Sequence, residues 1–506
     1  MQKSIFLKIL SLAVIFPLII SFAWVGYIAS DDMMYISAAT DWIGNFPYIP
    51  PHHFGVRHTL TLPMAVVFWL FGSGEYQAVL VGILYFIALL ILLYLFLVQQ
   101  FDNESAFITI FLLILTPLFA VQATILGVDI PEAFYYFSSL LLFFKAVHRN
   151  GEARMMFFVG LLAGLAFLNR ETACALMLLY GVLFLGGFYI ERKRYFLIFI
   201  GFTLPIFIEM IYYLIVVGDP LHRFHIVLST HGSPAMTLLG SVASGTGNLT
   251  ESRLFGPIVA MFFNQEFGLL YWFAIPAVWF TCIKPFGTVE QRRFLRTLLI
   301  MCLIIFVFYF YFLGLRPLPR YFSTLTVAIL IIVVIWLWRV VYPQHRRMAY
   351  ILIVTLIASN LLMIDLENKQ PRLAERELVD RLAANPDLII YVDPKTYGRA
   401  MRMLQWSHIS LNRAIVGLPP PSSLYLFSKE NVSTIKSREN GDSDDLTLLS
   451  PKKDWVEIDR SRGKKTVVGT VLTWLRLDRW IIDTPLERVI WANQPIILYK
   501  RLEAAL

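Results

Sequence analysis

Residues 77–99 read QAVLVGILYFIALLILLYLFLVQ, without one Asp, Glu, Lys, Arg or His. A bilayer core of about 30 Å is crossed by a helix of about 20 apolar residues, so this stretch is long enough to span it. Ten further stretches of the same character lie around it, near 8–28, 105–126, 131–147, 155–169, 173–190, 195–217, 267–283, 297–315, 321–338 and 348–364. Those at 155–169 and 173–190 are short for a full crossing. Leu60–Phe71 is shorter still and ends in Gly-Ser-Gly, which places it as an interfacial or re-entrant helix. The 506-residue chain is 58% hydrophobic and 15% charged, with a mean hydropathy of +0.65. That composition excludes disorder, a coiled coil and an ordinary nucleic-acid-binding domain. It also leaves too little charge to cover one large soluble enzyme. The expected fold is an all-α polytopic membrane protein of about eleven transmembrane helices, with outer amphipathic helices and a small α/β C-terminal domain.

The formal net charge of +8 belongs to topology rather than to a polyanionic partner. With the N-terminus inside, fifteen Lys and Arg fall in inner connections. Six (Arg57, Arg170, Arg223, Arg253, Arg316 and Arg320) fall in outer ones. This is the bias of cytoplasmic loops, and counting Leu60–Phe71 as a span would destroy it. Eleven crossings carry the C-terminal tail outside. The first span has the basic start of a signal peptide (Lys3, Lys8), but its apolar core is longer than the roughly 7–15 residues usual there, so it is expected to stay as an anchor. The compact loops point to a bacterial inner membrane, with a periplasmic C-terminal domain. Cys174, Cys282 and Cys302 all lie in apolar runs, with no CxxC and no disulfide framework.

After Ile364 the composition turns polar, so the chain divides into residues 1–365 and 366–506. The second part has Pro-Pro-Pro at 419–421 and a charged loop near Glu439–Asp445. Asp387–Val392 reads as a buried strand, Tyr397–Trp406 as a helix, and Val489–Tyr499 contains further strand material. No repeat of solenoid period is present.

Ionisable groups are costly in lipid and face a cavity or a partner, so charges at the outer ends of spans are the informative ones. Asp31 and Asp32 follow the first span in S-D-D-M-M-Y-I-S-A-A-T-D-W. The residues after them fit an amphipathic helix lying on the membrane, with Met34, Ala38 and Trp42 towards lipid and Asp32 and Thr40 turned away. Two carboxylates at a helix start also serve as N-cap and dipole partners, so position alone leaves capping and chemistry both open. Asp129 lies in G-V-D-I-P-E, where it also reads as a cap before Pro131. Arg170 and Glu171 share a turn in F-L-N-R-E-T-A and are able to pair with each other. Arg57 stands in H-H-F-G-V-R-H, and Arg316 and Arg320 in L-R-P-L-P-R-Y. Glu209, inside a span, reads as a structural hydrogen-bonding group.

Carboxylates and several arginines on one side of a bilayer suit a definite chemistry. Arginine binds phosphate through a planar fork of donors. A carboxylate takes the proton of an attacking hydroxyl as general base. Together they fit transfer of a sugar whose leaving group is a lipid phosphate, with the arginines stabilising the departing charge.

The motifs resemble those of the GT-C glycosyltransferases, in particular the branch with protein O-mannosyltransferases and the lipid A aminoarabinose transferase. The family's D-E-x-x-Y motif is similar to Asp31-Asp32-Met33-Met34-Tyr35, with Asp32 where the family has Glu. H-F-G-x-R matches His53–Arg57, L-F-G matches Leu70–Gly72, and Asp129 matches an outer-loop Asp before Pro. G-L-A-x-L-x-[KR]-E-T matches Gly164–Thr172, G-D-P-L matches Gly218–Leu221, and P-R-Y matches Pro319–Tyr321. The resemblance covers most of residues 1–340 and implies a polyprenyl-phosphate sugar donor, a lipid, glycan or protein acceptor, and inversion. It implies Asp31 as base with Asp32 and Asp129 in the catalytic set, Asp129 orienting the acceptor or a metal. It also implies Arg57, Arg170, Arg316 and Arg320 at the donor phosphate, and Tyr35, His53, Glu171 and Tyr321 against substrate. Some relatives hold a divalent cation and others do not. The C-terminal part matches no named family.

Other clusters carry less. His52, His53 and His58, and His222, His225 and His231 with Asp219, lack the spacing of a zinc site, and loop packing or substrate hydrogen bonds are preferred for them. The aromatic run at 306–312 reads as lipid-facing or packed interior. Asn248-Leu-Thr and Asn431-Val-Ser are short sequon-like patterns. Two competing functions remain at this level. A transporter or flippase of lipid-linked sugars is expected to show repeated halves and midplane charge, which the sequence lacks. A scaffold is expected to tolerate loss of Asp31.

Overall fold

The computed structural model describes residues 2–231, 254–283, 286–367, 373–432 and 450–502, except 453, 482, 483, 485, 486, 492 and 493. Two compact units emerge. The first comprises Met1–Trp24, Met34–Gly72 and Gln77–Ile364; the second comprises Val25–Met33, Ser73–Tyr76 and Asp365–Leu506. The second unit therefore contains two short stretches from early in the chain as well as the polar C-terminal part.

Six described helices are long and apolar enough to cross a membrane: Glu75–Gln100, Asp129–His148, Arg192–Val217, Val289–Phe312, Pro319–Gln344 and Arg346–Glu367. Each falls on an expected span. Six apolar helices are shorter, namely Leu7–Phe22, His58–Phe71, Asn103–Leu115, Ala153–Asn169, Glu171–Leu185 and Leu270–Ile283. Among the described residues six helices are thus of full crossing length and six are shorter, the spans expected to be short at 155–169 and 173–190 falling on two of the shorter ones. The span expected over 105–126 is broken, because Thr116 is extended (φ −67°, ψ 121°) and Pro117 starts a new helix, Pro117–Gln122. Proline is tolerated at a helix start because it has no N–H to offer there.

The centre of the first unit is the helix Ser323–Trp336, in which every residue is buried. A helix apolar on all sides belongs inside a bundle, and this one packs on others through Val, Ile and Leu. Glycine sets the closest helix pair. A Cβ on Gly160 or Gly164 would overlap the Ile198 or Phe202 carbonyl of the Arg192 helix, and one on Gly201 would overlap the Phe157 carbonyl. This small-residue stripe lets two backbones touch, as in membrane helix pairs generally.

The helix Asp31–Gly44 forms as expected, but its faces differ from the expected amphipathic arrangement. Asp32, Tyr35, Ile36, Ala38 and Ala39 are buried, and Thr40 and Ile43 are exposed. Ala38, expected towards lipid, is covered by protein packing instead.

In the second unit a five-stranded sheet has the order β2-β1-β3-β5-β4. The strands are β1 Ile390–Val392, β2 Ala414–Val416, β3 Leu424–Ser428, β4 Trp455–Ser461 and β5 Ile496–Arg501. β1 pairs parallel with β2 and β3, and β5 pairs antiparallel with β3 and β4. The expected strand over Asp387–Val392 contracts to β1, and the expected helix becomes Pro394–Trp406, capped by Asp393. Within Val489–Tyr499 a short helix, Glu487–Ile490, precedes β5. Asn431 is buried, its amide donating to Glu375 (3.2 Å) and Thr396 (2.9 Å), so this sequon-like asparagine is packed inside the domain. Asn248, Arg253 and the Glu439–Asp445 loop lie outside the described residues.

Candidate active site

In the first unit the motif residues converge on the ends of four helices. Arg57 precedes the helix His58–Phe71, and its Nη1 donates to the Asn169 carbonyl at 2.8 Å. Asn169 ends the helix Ala153–Asn169 and donates to the Val128 carbonyl at 2.8 Å, which ties that end to the start of the Asp129 helix. Next in sequence, Arg170 donates to Asp129 Oδ1 at 2.8 Å and to Glu132 Oε2 at 3.2 Å. All three side chains are buried. Glu132 also accepts from the Thr172 hydroxyl (2.9 Å) and the Tyr309 hydroxyl (3.2 Å). The Arg170 guanidinium lies 4.4 Å from the Tyr321 ring centroid, and Arg320 flanks the same ring at 5.5 Å.

A second buried network adjoins in sequence. Arg223, 1% exposed, donates to Glu209 (2.8 Å), Glu171 (2.5 Å) and the Leu168 carbonyl (3.0 Å), and also to the Val56 carbonyl. Burial alone would favour loss of its proton. Glu209 and Glu171 more than offset that and hold the guanidinium above its ordinary value. Glu209 lies 3.0 Å from His58 Nε2, which also meets the Tyr213 hydroxyl at 2.9 Å. The expected structural role of Glu209 thus takes the form of an ion pair. Arg57 Nε, by contrast, is buried without a hydrogen-bond partner.

The His53–Arg57 motif has a steric reason for its glycine. A Cβ on Gly55 would come within 2.7 Å of the Tyr48 hydroxyl and 2.8 Å of Pro50 Cβ. Phe54 gathers two residues expected at substrate. Its ring is 3.9 Å from His53 and 5.6 Å edge-on from Tyr35. Arg316 is exposed.

In the second unit the two adjacent aspartates part company. Asp32 is 1% exposed and accepts from the backbone N–H groups of Ile28 (2.7 Å), Ser30 (2.6 Å) and Met33 (3.0 Å). Its carboxylate is occupied in holding the turn. Asp31 is half-buried at the helix start. The loop before it is gripped by the C-terminal part. Glu75 accepts from Tyr27 N at 2.8 Å and pairs with Arg376, which donates to the Val25 carbonyl at 3.2 Å. Trp406 donates to the Ser73 hydroxyl at 3.1 Å and packs edge-on to Tyr27 at 5.2 Å. Gly26 supplies the left-handed φ of +78° beside the Glu75–Arg376 pair.

Sequence reasoning singled out Asp129, Arg170, Glu171, Tyr321 and Arg320, and the structure brings Asp129 with Arg170, and Arg170 and Arg320 with Tyr321. It did not single out Glu132, Thr172, Arg223 or His58 as partners. Nor did it place Tyr309, counted in the aromatic run at 306–312, in a polar site. Arg170, expected at a donor phosphate, is paired with two carboxylates. Among the described residues no group of three or more His, Cys, Asp or Glu is arranged to hold a metal ion. Asp129 and Glu132 face a guanidinium, and Asp219 pairs with His225 at 2.8 Å. The His231 side chain lies outside the described residues.

Residues 61–213 match the model of the dolichyl-phosphate-mannose-protein mannosyltransferase family. No curated protein sequence matches the chain. Among solved structures, the apo oligosaccharyltransferase of Archaeoglobus fulgidus superposes with a TM-score of 0.52 at 16% identity, covering 79% of this chain and 64% of that one. The same enzyme complexed with zinc and sulfate gives 0.52 at 16% identity, covering 79% and 61%. Apo ArnT from Cupriavidus metallidurans gives 0.50 at 12% identity, covering 88% of this chain and 99% of that one. The chain therefore spans less than two thirds of the oligosaccharyltransferase and nearly all of ArnT. The resemblance to the GT-C glycosyltransferases carried by the motifs thus holds both in the mannosyltransferase pattern over 61–213 and in the fold shared with these two proteins.

Proposed function

We propose that the protein is a membrane glycosyltransferase that moves a sugar from a polyprenyl-phosphate donor to a hydroxyl of an envelope lipid, glycan or protein. The reaction takes place on the outer face of a bacterial inner membrane, with the C-terminal domain in the periplasm. The acceptor hydroxyl attacks the anomeric carbon, its proton passes to Asp31, and the bond to the phosphate oxygen breaks with inversion. The phosphate leaves with the electron pair, and Arg320, Arg316 and the free Nε of Arg57 stabilise its charge. Arg170, held by Asp129 and Glu132, orients Tyr321 and Arg320, while Tyr35, His53 and Glu171 line the substrate. No step is routed through a divalent cation, because Asp129 and Glu132 face Arg170.

The observation that carries this reading is the gathering of motif residues from 57, 129 and 169–172 at helix ends through buried hydrogen bonds and an ion pair, with the Tyr321 ring against Arg170. Buried charge of this kind in a membrane chain marks a functional site. The match of residues 61–213 to the dolichyl-phosphate-mannose-protein mannosyltransferase pattern supports the same class of donor.

The test is transfer by purified protein in nanodiscs, supplied with polyprenyl-phosphate sugars and an acceptor extract. Asp31→Asn is expected to lower the rate by about 10²–10⁴-fold, the contribution of a general base. Equal transfer by the variant and the wild type removes Asp31 from the mechanism.

A further inference from the structure

The helix Val467–Trp474 in the second unit is built inside out. Its Gly469 packs on the Ile490 backbone, where a Cβ would clash. The stripe Val467, Val471 and Trp474, at the i, i+4, i+7 spacing that normally faces a core, is exposed instead. The following turn continues it. Leu475 and Leu477 are exposed, and Trp474 and Trp480 are 81% and 82% exposed. Two large indoles left in water are unusual for a folded domain, and a contiguous apolar patch rimmed by polar groups marks a contact surface.

Two observations say what covers it. First, the helix starts where a membrane-length helix ends. Asp365, two residues before the end of the helix Arg346–Glu367, accepts from Val467 N at 2.9 Å and from Val468 N at 3.1 Å. That carboxylate caps the exposed helix and ties its first turn to the polar end of the last long apolar stretch of the chain. Second, the cations match headgroup phosphates. Residues 464–481 carry Lys464, Lys465, Arg476 and Arg479 against the single acid Asp478. Exposed apolar side chains, tryptophans and interleaved arginines are the composition of a segment lying in a membrane interface.

We infer that the face Val467–Trp480 lies in the outer bilayer interface, with its tryptophans and leucines at the level of the acyl chains and Arg476 and Arg479 on lipid phosphates. The C-terminal domain is then a membrane-seated domain rather than one standing free in the outer compartment. The inference does not depend on the proposed transferase chemistry.

The experiment uses the full chain in nanodiscs, with Cys174 and Cys282 replaced by Ala and a fluorescent nitrobenzoxadiazole label at Trp474→Cys or Trp480→Cys. Lipids carrying a nitroxide on the upper acyl chain are expected to quench both labels at least twofold more than the same dye on glutathione in solution. A blue shift in emission is expected alongside. Replacing both Arg476 and Arg479 by Gln is expected to reduce that quenching, and more so with anionic than with zwitterionic lipid. Quenching no greater than that of the glutathione conjugate overturns the inference. So does shielding that appears only with a concentration-dependent dimer.

Discussion

Asp31 and Asp32 are neighbours with opposite burdens. The Asp32 carboxylate satisfies three backbone N–H groups in a buried turn, and an unsatisfied buried donor costs about 1–3 kcal/mol. Asp32→Ala is therefore expected to lower thermal stability markedly, and Asp32→Asn to recover part of it. Asp31→Ala is expected to cost less than Asp32→Ala, because the Asp31 side chain is only half-buried and the Asp32 carboxylate is fully buried on three backbone N–H groups. Melting curves in detergent, read by loss of the monodisperse peak, check the order; equal losses for the two alanine variants would overturn it. Nothing in the dipeptide distinguishes the two residues beforehand. The distinction arises from backbone N–H groups of the preceding turn, whose direction a sequence does not carry. Glu132 was hidden for a related reason. Three residues after Asp129, it reads as an ordinary first-turn acid, and its partners Thr172 and Tyr309 are 40 and 177 positions away.

At the scale of elements, the break at Pro117 was not expected in the span over 105–126, since a proline alone does not decide it: Pro205 stays inside the helix Arg192–Val217 while Pro117 starts a new one. The Gly160–Gly164 stripe has a sharper consequence. Gly160→Leu is expected to separate the Ala153 helix from the Arg192 helix and to abolish folded yield. Gly181→Leu, at a glycine with open space around its Cβ position, is expected to be tolerated. Size-exclusion profiles of the two variants settle the point. The loop Val25–Met33 is a different kind of element, since its shape is imposed from the C-terminal part through Arg376, Glu75 and Trp406. If Asp31 is the base, Arg376 is a positioning residue for it. Arg376→Ala is expected to lower kcat with little change in donor KM. The exchanged pair Arg376→Glu with Glu75→Arg is expected to regain part of kcat. An effect confined to KM, or no gain from the exchange, would leave the pair merely structural.

At the scale of the molecule, the membrane character, the six long helices and the polar C-terminal part were legible because hydropathy is additive along the chain. The inclusion of residues 25–33 and 73–76 in the second unit was not legible, because it rests on contacts across 301 to 351 positions. The same holds for Arg223, which reads as one more outer-loop cation until its carboxylates are seen. Since Asp129 and Glu132 are engaged by Arg170, transfer measured before and after treatment with a strong chelator is expected to differ by less than twofold; a large loss restored by a divalent ion would refute this.

The pairing of Arg170 with Asp129 and Glu132 also bears on how the chain is made. The two acids are synthesised 41 and 38 residues before their arginine. Both acids lie in the first turn of their helix and their counter-charge follows the end of the next one, so pairing of the two helices lowers the cost of placing either in hydrocarbon. Entry of the two as a hairpin is thereby favoured, and the order of translation becomes part of how this protein reaches its native state.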